Sequence, residues 1–318
     1  MRTTLGIDLG GSHILAAVVD ESGRILERNE RELTKLDVND VVAAIVQAVS
    51  QIRTTDAGRA ASAIGIGSPG NIDLRTGTVR YSPNFGWKDV ALGALLSEGL
   101  GTAVFVGNDA RCATLGEYLH GSGKGTKNFV LLTLGTGIGG GVVANGRLVL
   151  GNTAAAGEFG HHQLRATDGF VCACGKTGCF EAQASGMGLL RHAYALLASF
   201  PRSELLLSKK SDKPIGSKQV RKAAEAGDPH ALAAWKRFIE DLSVGIANVI
   251  AFLNPEIIAL GGGVSSAGEF MLSALRPRVD ELTVMAPRGM TRIVAAELGN
   301  DAGAIGAAAL ALNGGFDV

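Results

Sequence analysis

Thr3-Thr-Leu-Gly-Ile-Asp-Leu-Gly-Gly-Ser-His-Ile-Leu-Ala-Ala-Val-Val-Asp20 opens the chain with an apolar run, a glycine turn and a second apolar run. Thr3 to Asp8 has the character of a buried strand, Asp8-Leu-Gly-Gly-Ser12 reverses the chain, and Ile14 to Asp20 is the returning strand. The device recurs. Asn128 to Leu134 is strand-like, Gly135-Thr-Gly-Ile-Gly-Gly-Gly141 follows, and Val142 to Ala144 resumes the extended pattern. Strand, glycine turn, strand at residues 5–19 and again at 130–150 predicts an α/β fold of two βββαβα-like halves facing each other across a cleft.

The segments between fit this plan. Glu21-Ser-Gly-Arg24 turns the chain into a third strand, Ile25 to Leu33. Asp40 to Ile52 has helical periodicity, with Asp40 able to cap it. Ala63 to Gly67 and Ala103 to Val106 are short buried strands, the second ending at Gly107-Asn-Asp109 before a helix over Ala110 to Leu119. Helices dominate from Ser185 to Leu253, and Glu256 to Leu260 is a buried strand ending at Gly261-Gly-Gly263. Ala302 to Leu312 reads as a buried helix.

A chain of 318 residues is long for one core and comfortable for two domains. Its composition, 46% hydrophobic and 19% charged with 45 glycines, is that of a folded protein with many tight turns. Thirty basic and thirty acidic residues cancel, so no overall field favours nucleic acid or a membrane surface. Lys209-Lys210 and Lys213 lie in a polar stretch expected to be a solvated loop. The longest apolar region, Val244 to Val264, is broken by Asn248, Asn254, Pro255 and Glu256 and makes no membrane span. Met1-Arg-Thr-Thr runs into a strand without a signal peptide, which points to the cytoplasm.

His161, Cys172, Cys174 and Cys179 form a Cys₃His set within about one loop, the donor set of a tetrahedral, structural Zn²⁺ site. Cys172 and Cys174 are too close to bridge each other, although either could pair with Cys179 in an oxidising compartment; Cys112 is distant in sequence. Glu158 and Glu181 flank the set, so a metal there would pin two carboxylates and a histidine into one rigid polar pocket.

The glycine turns carry a second chemistry. Without a Cβ in the way, successive backbone N–H groups can approach a phosphate. Asp8 at the strand end could hold Mg²⁺ through water, and Ser12 adds a hydroxyl. The competing reading of one such turn is an ordinary tight hairpin; two turns together with Gly261-Gly-Gly263 weigh against it. Two other phosphate motifs fail. Ser122-Gly-Lys-Gly-Thr126 lacks the hydroxyl residue after Lys124, and Gly65-Ile-Gly-Ser-Pro-Gly70 has Pro69 where a helix should begin.

Asn108-Asp109 falls between a strand and a helix. A carboxylate there can take a proton from an alcohol while Asn108 bonds a neighbouring hydroxyl; the plain alternative is Asp109 as a helix N-cap. Glu158, His161, Glu181 and Asn84, the last within Ser82-Pro-Asn-Phe-Gly-Trp87, favour the chemical reading. Carboxylates, amides and imidazole beside Phe85 or Trp87 are the equipment of a sugar pocket.

With these segments assembled, the chain resembles the ROK family (repressors, open reading frames and sugar kinases), in particular its bacterial glucokinase branch. The resemblance spans nearly the whole length. It is carried by Asp8-Leu-Gly-Gly-Ser12, Ser68-Pro-Gly70, Ser82-Pro-Asn-Phe-Gly-Trp87, Asn108-Asp-Ala110, Leu134-Gly-Thr-Gly-Ile-Gly-Gly-Gly141, Gly157-Glu-Phe-Gly-His161 and Cys172-Ala-Cys-Gly-Lys-Thr-Gly-Cys179. It implies a two-domain actin-like/hexokinase (ribonuclease H-like) ATPase fold with an interdomain cleft. The expected domains are 1–118 with about 299–318, and 119–298 carrying the zinc site.

The resemblance further implies Asp109 as catalytic base and Gly10, Gly11, Ser12, Thr136 and Gly137 as phosphate-binding positions, with Gly261, Gly262 and Gly263 in the nucleotide site. Asn108, Glu158, His161 and Glu181 match sugar-binding positions, with Gly70 and Asn84 added. His161 would then place one ring nitrogen on zinc and offer the other to a sugar hydroxyl. The implied activity is ATP-dependent phosphorylation of a hexose, glucose first, with Mg²⁺ as cofactor and Zn²⁺ as structural ion. N-Acetylmannosamine, fructose, allose and mannose are the alternative acceptors, and assembly as a homodimer or homotetramer is implied.

Three departures stand out. Ser12-His13 replaces the usual Thr-Lys; Ala110-Arg111 replaces Ala-Asn, a change expected to alter cleft charge; and one extra residue separates His161 from Cys172. Because His162 would restore that spacing, the zinc ligand is open between the two histidines, with His161 favoured for its place directly after Glu158-Phe-Gly160. A sugar-responsive repressor of the same family is the rival function. It would need a DNA-binding segment before the first glycine turn, and a start at Asp8 is expected to leave no room.

Overall fold

The computed structural model describes residues 2–201, 203, 205 and 215–316; Lys209-Lys210 and Lys213 lie outside the described residues. The chain divides into two compact units. One comprises Met1–Leu131, Gly141–Gly157 and Ala296–Val318, the other Leu132–Gly140 and Glu158–Ala295.

The first unit begins β1 (Thr3–Leu9), β2 (His13–Asp20) and β3 (Ile25–Glu32), followed by α1 (Val38–Ile52) and α2 (Asp56–Ala60). Then come β4 (Ile64–Ser68), β5 (Asn71–Asp73), β6 (Thr78–Ser82), β7 (Trp87–Val90), α3 (Leu92–Leu100), β8 (Val104–Asn108) and α4 (Asp109–His120). The Asp20 carboxylate closes the β2–β3 turn by accepting from the N–H groups of Ser22 and Arg24 at 2.9 and 3.1 Å, and Gly23 supplies the left-handed residue. Helix α1 buries Val41, Ile45, Ala48, Val49 and Ile52, one helical stripe. Its cap is Asp37, which accepts from the Asn39 N–H at 2.9 Å. The expected cap, Asp40, sits inside the first turn, where its charge faces the positive end of the helix.

Strands β9 (Phe129–Leu134), β10 (Ile138–Ala144) and β11 (Arg147–Leu148) repeat the opening device. After them come α5 (Phe180–Ala184), α6 (Gly186–Ala195), α7 (Ser217–Glu225) and α8 (Pro229–Leu253). The chain continues through β12 (Ile257–Gly261), α9 (Glu269–Leu282), β13 (Arg292–Ala295) and α10 (Ala302–Leu312). The two large sheets have the orders β3-β2-β1-β4-β8 and β11-β10-β9-β12-β13. Counting only the strands of each sheet in chain order, both therefore run third, second, first, fourth, fifth. This is the duplicated arrangement of the actin-like/hexokinase ATPase fold. The apolar stretch at Val244–Val264 resolves into the end of α8, a left-handed stop at Asn254 and β12. Among the described residues no helix is long and apolar enough to cross a membrane.

In the first unit β1 pairs parallel with β4 and β4 with β8, in a register that sets Asp8 opposite Gly67 and Ser68 opposite Asn108. The carboxyl ends of three parallel strands thus come level, where ligands of open α/β sheets bind. The buried helix α10 lies so close to this sheet that glycine is required beneath it. A Cβ on Gly6 would collide with the Ala304 carbonyl, and one on Gly65 with that of Ala307. Gly306 meets the Cys112 carbonyl of α4 in the same way. The rejected motif at Gly65–Gly70 is therefore a strand whose glycines serve packing.

Candidate active site and metal centre

The candidate residues are distributed over both units. In the first, Asn108 ends β8 and caps α4, its Oδ1 accepting the Arg111 N–H at 3.2 Å. The cap is thus Asn108 and not Asp109. Asp109 is the first helical residue, and its Oδ1 accepts the Ala110 N–H at 2.8 Å. The Asn108 Nδ2 donates to the Gly70 carbonyl at 3.1 Å, which fixes the orientation of the carboxamide. Gly70 has φ +117° and a Cβ there would meet Tyr81 and Ser82, so its glycine is a conformational need.

Asp8 lies at the end of β1 against Gly303, where a Cβ would come within 2.7 Å of either carboxylate oxygen. Burial, and then the negative charge of Asp109, push the Asp8 carboxyl up to about 7. A half-neutralised carboxylate beside a second one is an arrangement that a divalent cation would relieve. In the adjoining turn Gly10 donates to the His13 carbonyl at 2.9 Å, and Ser12 Oγ bonds His13 Nδ1 at 2.8 Å. Neither Gly10 nor Gly11 has positive φ, and a Cβ on Gly11 would have nothing within 4 Å. The protein's own backbone does not demand glycine at Gly11, whose flank is open.

Asn84 is exposed in the β6–β7 turn. The two aromatics expected beside a sugar pocket are both buried. Phe85 and Trp87 pack as a tilted pair inside the core, centroids 4.7 Å apart, and Trp87 Nε1 donates to the Leu36 carbonyl at 2.8 Å. Burial of large apolar rings won over exposure to a ligand.

The second unit holds the other turn. Gly135 again faces open space, while a Cβ on Gly137 would strike the Glu181 carboxylate. Glu181 Oε2 accepts the Ile138 N–H at 2.9 Å, and its Oε1 lies 3.8 Å from Cys172 Sγ. Gly262, at φ +84°, folds against the Leu134 backbone, and Val264 donates to the Leu134 carbonyl at 2.9 Å. Gly261 ends β12 and Gly263 faces open space, so these glycines adjoin the strand leading into Gly135 and Thr136.

Glu158 precedes a single 3₁₀ turn, Phe159–His161, and Gly160 packs on the Ile138 carbonyl. His161, Cys172, Cys174 and Cys179 bring one ligand atom each within 4.8 Å of one another. The Cys174 and Cys179 sulfurs are 3.7 Å apart, and Cys172 Sγ is 3.8 Å from His161 Nδ1. Zn–S bonds of about 2.3 Å at tetrahedral angles separate two sulfurs by about 3.8 Å, so the set fits zinc. Gly175 and Gly178, both at positive φ, turn the knuckle, and Cys172 donates its N–H to the Lys176 carbonyl at 2.8 Å. His162 points elsewhere. Its Nδ1 bonds the Phe159 carbonyl at 2.6 Å and its ring packs on Phe180, centroids 5.1 Å apart.

Sequence reasoning missed the use made of Arg111. Its side chain is buried at 3% exposure and donates to Asn108 Oδ1 and the Ala156 carbonyl. It missed equally the buried Asp241, which accepts from Arg165 at 2.6 Å and pairs with His192 at 3.0 Å, tying the loop before the knuckle to α8.

A duplicated ATPase fold, glycine turns open to an anion and paired carboxylates at strand ends define a phosphotransferase class of protein. The chain belongs to the ROK family, which matches residues 4–313. A glucokinase of Streptomyces coelicolor is 36% identical over 98% of this chain and 98% of its own length. A glucokinase of Thermotoga maritima is 37% identical over 96% of each chain. The crystal structure of a ROK family glucokinase from Streptomyces griseus, in complex with glucose and AMPPNP, superposes with a TM-score of 0.86 at 35% identity, covering 98% of this chain and 99% of that one.

Proposed function

We propose that this protein is an ATP-dependent glucokinase that forms glucose 6-phosphate. The observation that carries the reading is likeness to glucokinases along essentially the whole chain, at 36–37% identity. Phosphoryl transfer calls for positioning and charge neutralisation more than for covalent chemistry. Asp109 is the general base that takes the proton as the 6-hydroxyl attacks the γ-phosphorus in line. Asn108, Glu158, His161 and Glu181 bind the sugar hydroxyls, with Gly70 and Asn84 as outer members. Gly10, Gly11, Ser12, Thr136 and Gly137 hold the phosphate chain through backbone N–H groups and hydroxyls, and Gly261–Gly263 border the nucleotide.

Asp8 is the residue to hold Mg²⁺, through water, and that ion supplies neutralising charge on the phosphates when bound. His161, Cys172, Cys174 and Cys179 are the residues to hold Zn²⁺, which supplies a rigid joint between His161 and the start of α5, where Glu181 lies. A cytoplasmic homodimer or homotetramer completes the proposal, resting on family membership and tested by light scattering.

A coupled assay with ATP against glucose, mannose, N-acetylmannosamine, N-acetylglucosamine, fructose and allose tests the reading. Glucose is expected to give the highest kcat/KM. Asp109→Ala is expected to lower kcat by about 10²–10⁴-fold while the protein stays folded. Near-wild-type turnover by that variant ends the assignment.

A further inference from the structure

Arg111 spends more on the start of α4 than a helix cap needs. The backbone N–H of Arg111 already satisfies Asn108 Oδ1 at 3.2 Å, as an N-cap requires. Its guanidinium adds Nη1 to the same oxygen at 2.8 Å, and sends Nε and Nη2 to the Ala156 carbonyl at 3.0 and 2.6 Å. A buried cation is tolerated only when its donors are met, and here two of the five N–H groups fork onto one carbonyl while another meets the side chain next to Asp109.

The consequence falls on Asn108. Two donors occupy its oxygen and the Gly70 carbonyl takes one of its N–H bonds, so the carboxamide can present only an N–H to a ligand. Ala156 lies in the segment that follows β11, so one side chain joins the Asn108–Asp109 turn to a second stretch of backbone. Two more residues of the same α4 face act alike. Thr114 packs against Gly141, and buried Glu117 accepts from the N–H groups of Ser122, Glu297 and Leu298 at 2.9, 3.2 and 2.7 Å.

We propose that Arg111 is a positioning residue for phosphoryl transfer. It locks Asn108 as a hydrogen-bond donor to the sugar and holds the turn carrying Asp109 against the Ala156 peptide. The departure at position 111 thus acts through buried hydrogen bonds to the catalytic turn. The inference rests on the kinase reading, because it assigns a role in that reaction.

The test compares wild type, Arg111→Ala and Arg111→Lys by glucose and ATP kinetics, thermal unfolding and peptide-level hydrogen exchange. Arg111→Ala is expected to raise the glucose KM and lower kcat, each about tenfold, with the ATP KM within about twofold of wild type. Millimolar guanidinium should restore part of the lost kcat, and Arg111→Lys should fall between. Exchange should quicken in peptides covering 108–112 and 154–157 and stay unchanged in peptides covering β12. Kinetics within about twofold of wild type overturn the proposal. So does a loss that guanidinium does not relieve and that comes with a lower unfolding temperature and no exchange change in those two segments. If the wild type phosphorylates no sugar, the kinase reading fails, and the exchange comparison still decides whether Arg111 holds the turn.

Discussion

The Glu181 carboxylate accepts a hydrogen bond from the backbone N–H of Ile138 at 2.9 Å, across 43 residues of sequence. A proposed sugar ligand is thereby attached to the turn proposed to hold phosphate. The same carboxylate occupies the space a side chain at Gly137 would need. The sugar ligand and the phosphate turn proposed for the second unit therefore share one contact.

Gly137→Ala should for that reason damage sugar binding although it lies in a phosphate turn. The new methyl displaces Glu181 from the Ile138 N–H, a hydrogen bond to a charged group worth about 1.5–3 kcal/mol. The glucose KM is expected to rise about 10–100-fold, measured by the coupled assay at saturating ATP. An increase confined to the ATP KM would detach Glu181 from the sugar.

Much of the fold was legible in the sequence for a simple reason: an apolar run broken by closely spaced glycines marks the end of a strand and a sharp turn. Asp8-Leu-Gly-Gly-Ser12 and Gly135-Thr-Gly137 needed no tertiary knowledge to be placed at strand ends. The errors came where direction mattered more than identity. Asp37 and Asp40 both precede the apolar stripe of α1, and only backbone geometry selects Asp37. Phe85 and Trp87 read as neighbours of a sugar pocket, but their sequence does not show that both rings are buried. Arg111 shows its charge in sequence, but not that its guanidinium turns inward to Asn108 and Ala156.

Asp8 makes a pH prediction with a definite sign. Burial, with the charge of Asp109 second, raises its folded-state value to about 7, above the unfolded value of about 3.9. The neutral form is favoured by folding, so this contribution is fully present below about pH 4 and lost as pH rises through 7. In chelator-treated protein the unfolding temperature should fall over that window, and Asp8→Asn should flatten the fall. At pH 8 the variant should melt about 2–5 °C higher than wild type while losing kinase activity. Parallel pH profiles for the two proteins would show that Asp8 is not the group responsible.

The two adjacent histidines separate ligation from packing. His161 Nδ1 lies 3.8 Å from Cys172 Sγ within the Cys₃His set, whereas His162 is held by the Phe159 carbonyl and the Phe180 ring. His161→Ala should lower zinc from about one ion per chain to well below it, because three thiolates leave the fourth tetrahedral position to water. His162→Ala should keep its zinc and lose stability instead, since its ring fills space beside Phe180 and a buried hydrogen bond disappears. Metal analysis after dialysis, read beside thermal unfolding, distinguishes them. Zinc retained in His161→Ala but lost in His162→Ala would reverse the assignment. The extra residue before Cys172 would then act by shifting the ligand one place along the chain, turning His161 out of the metal set and leaving its whole ring to the sugar.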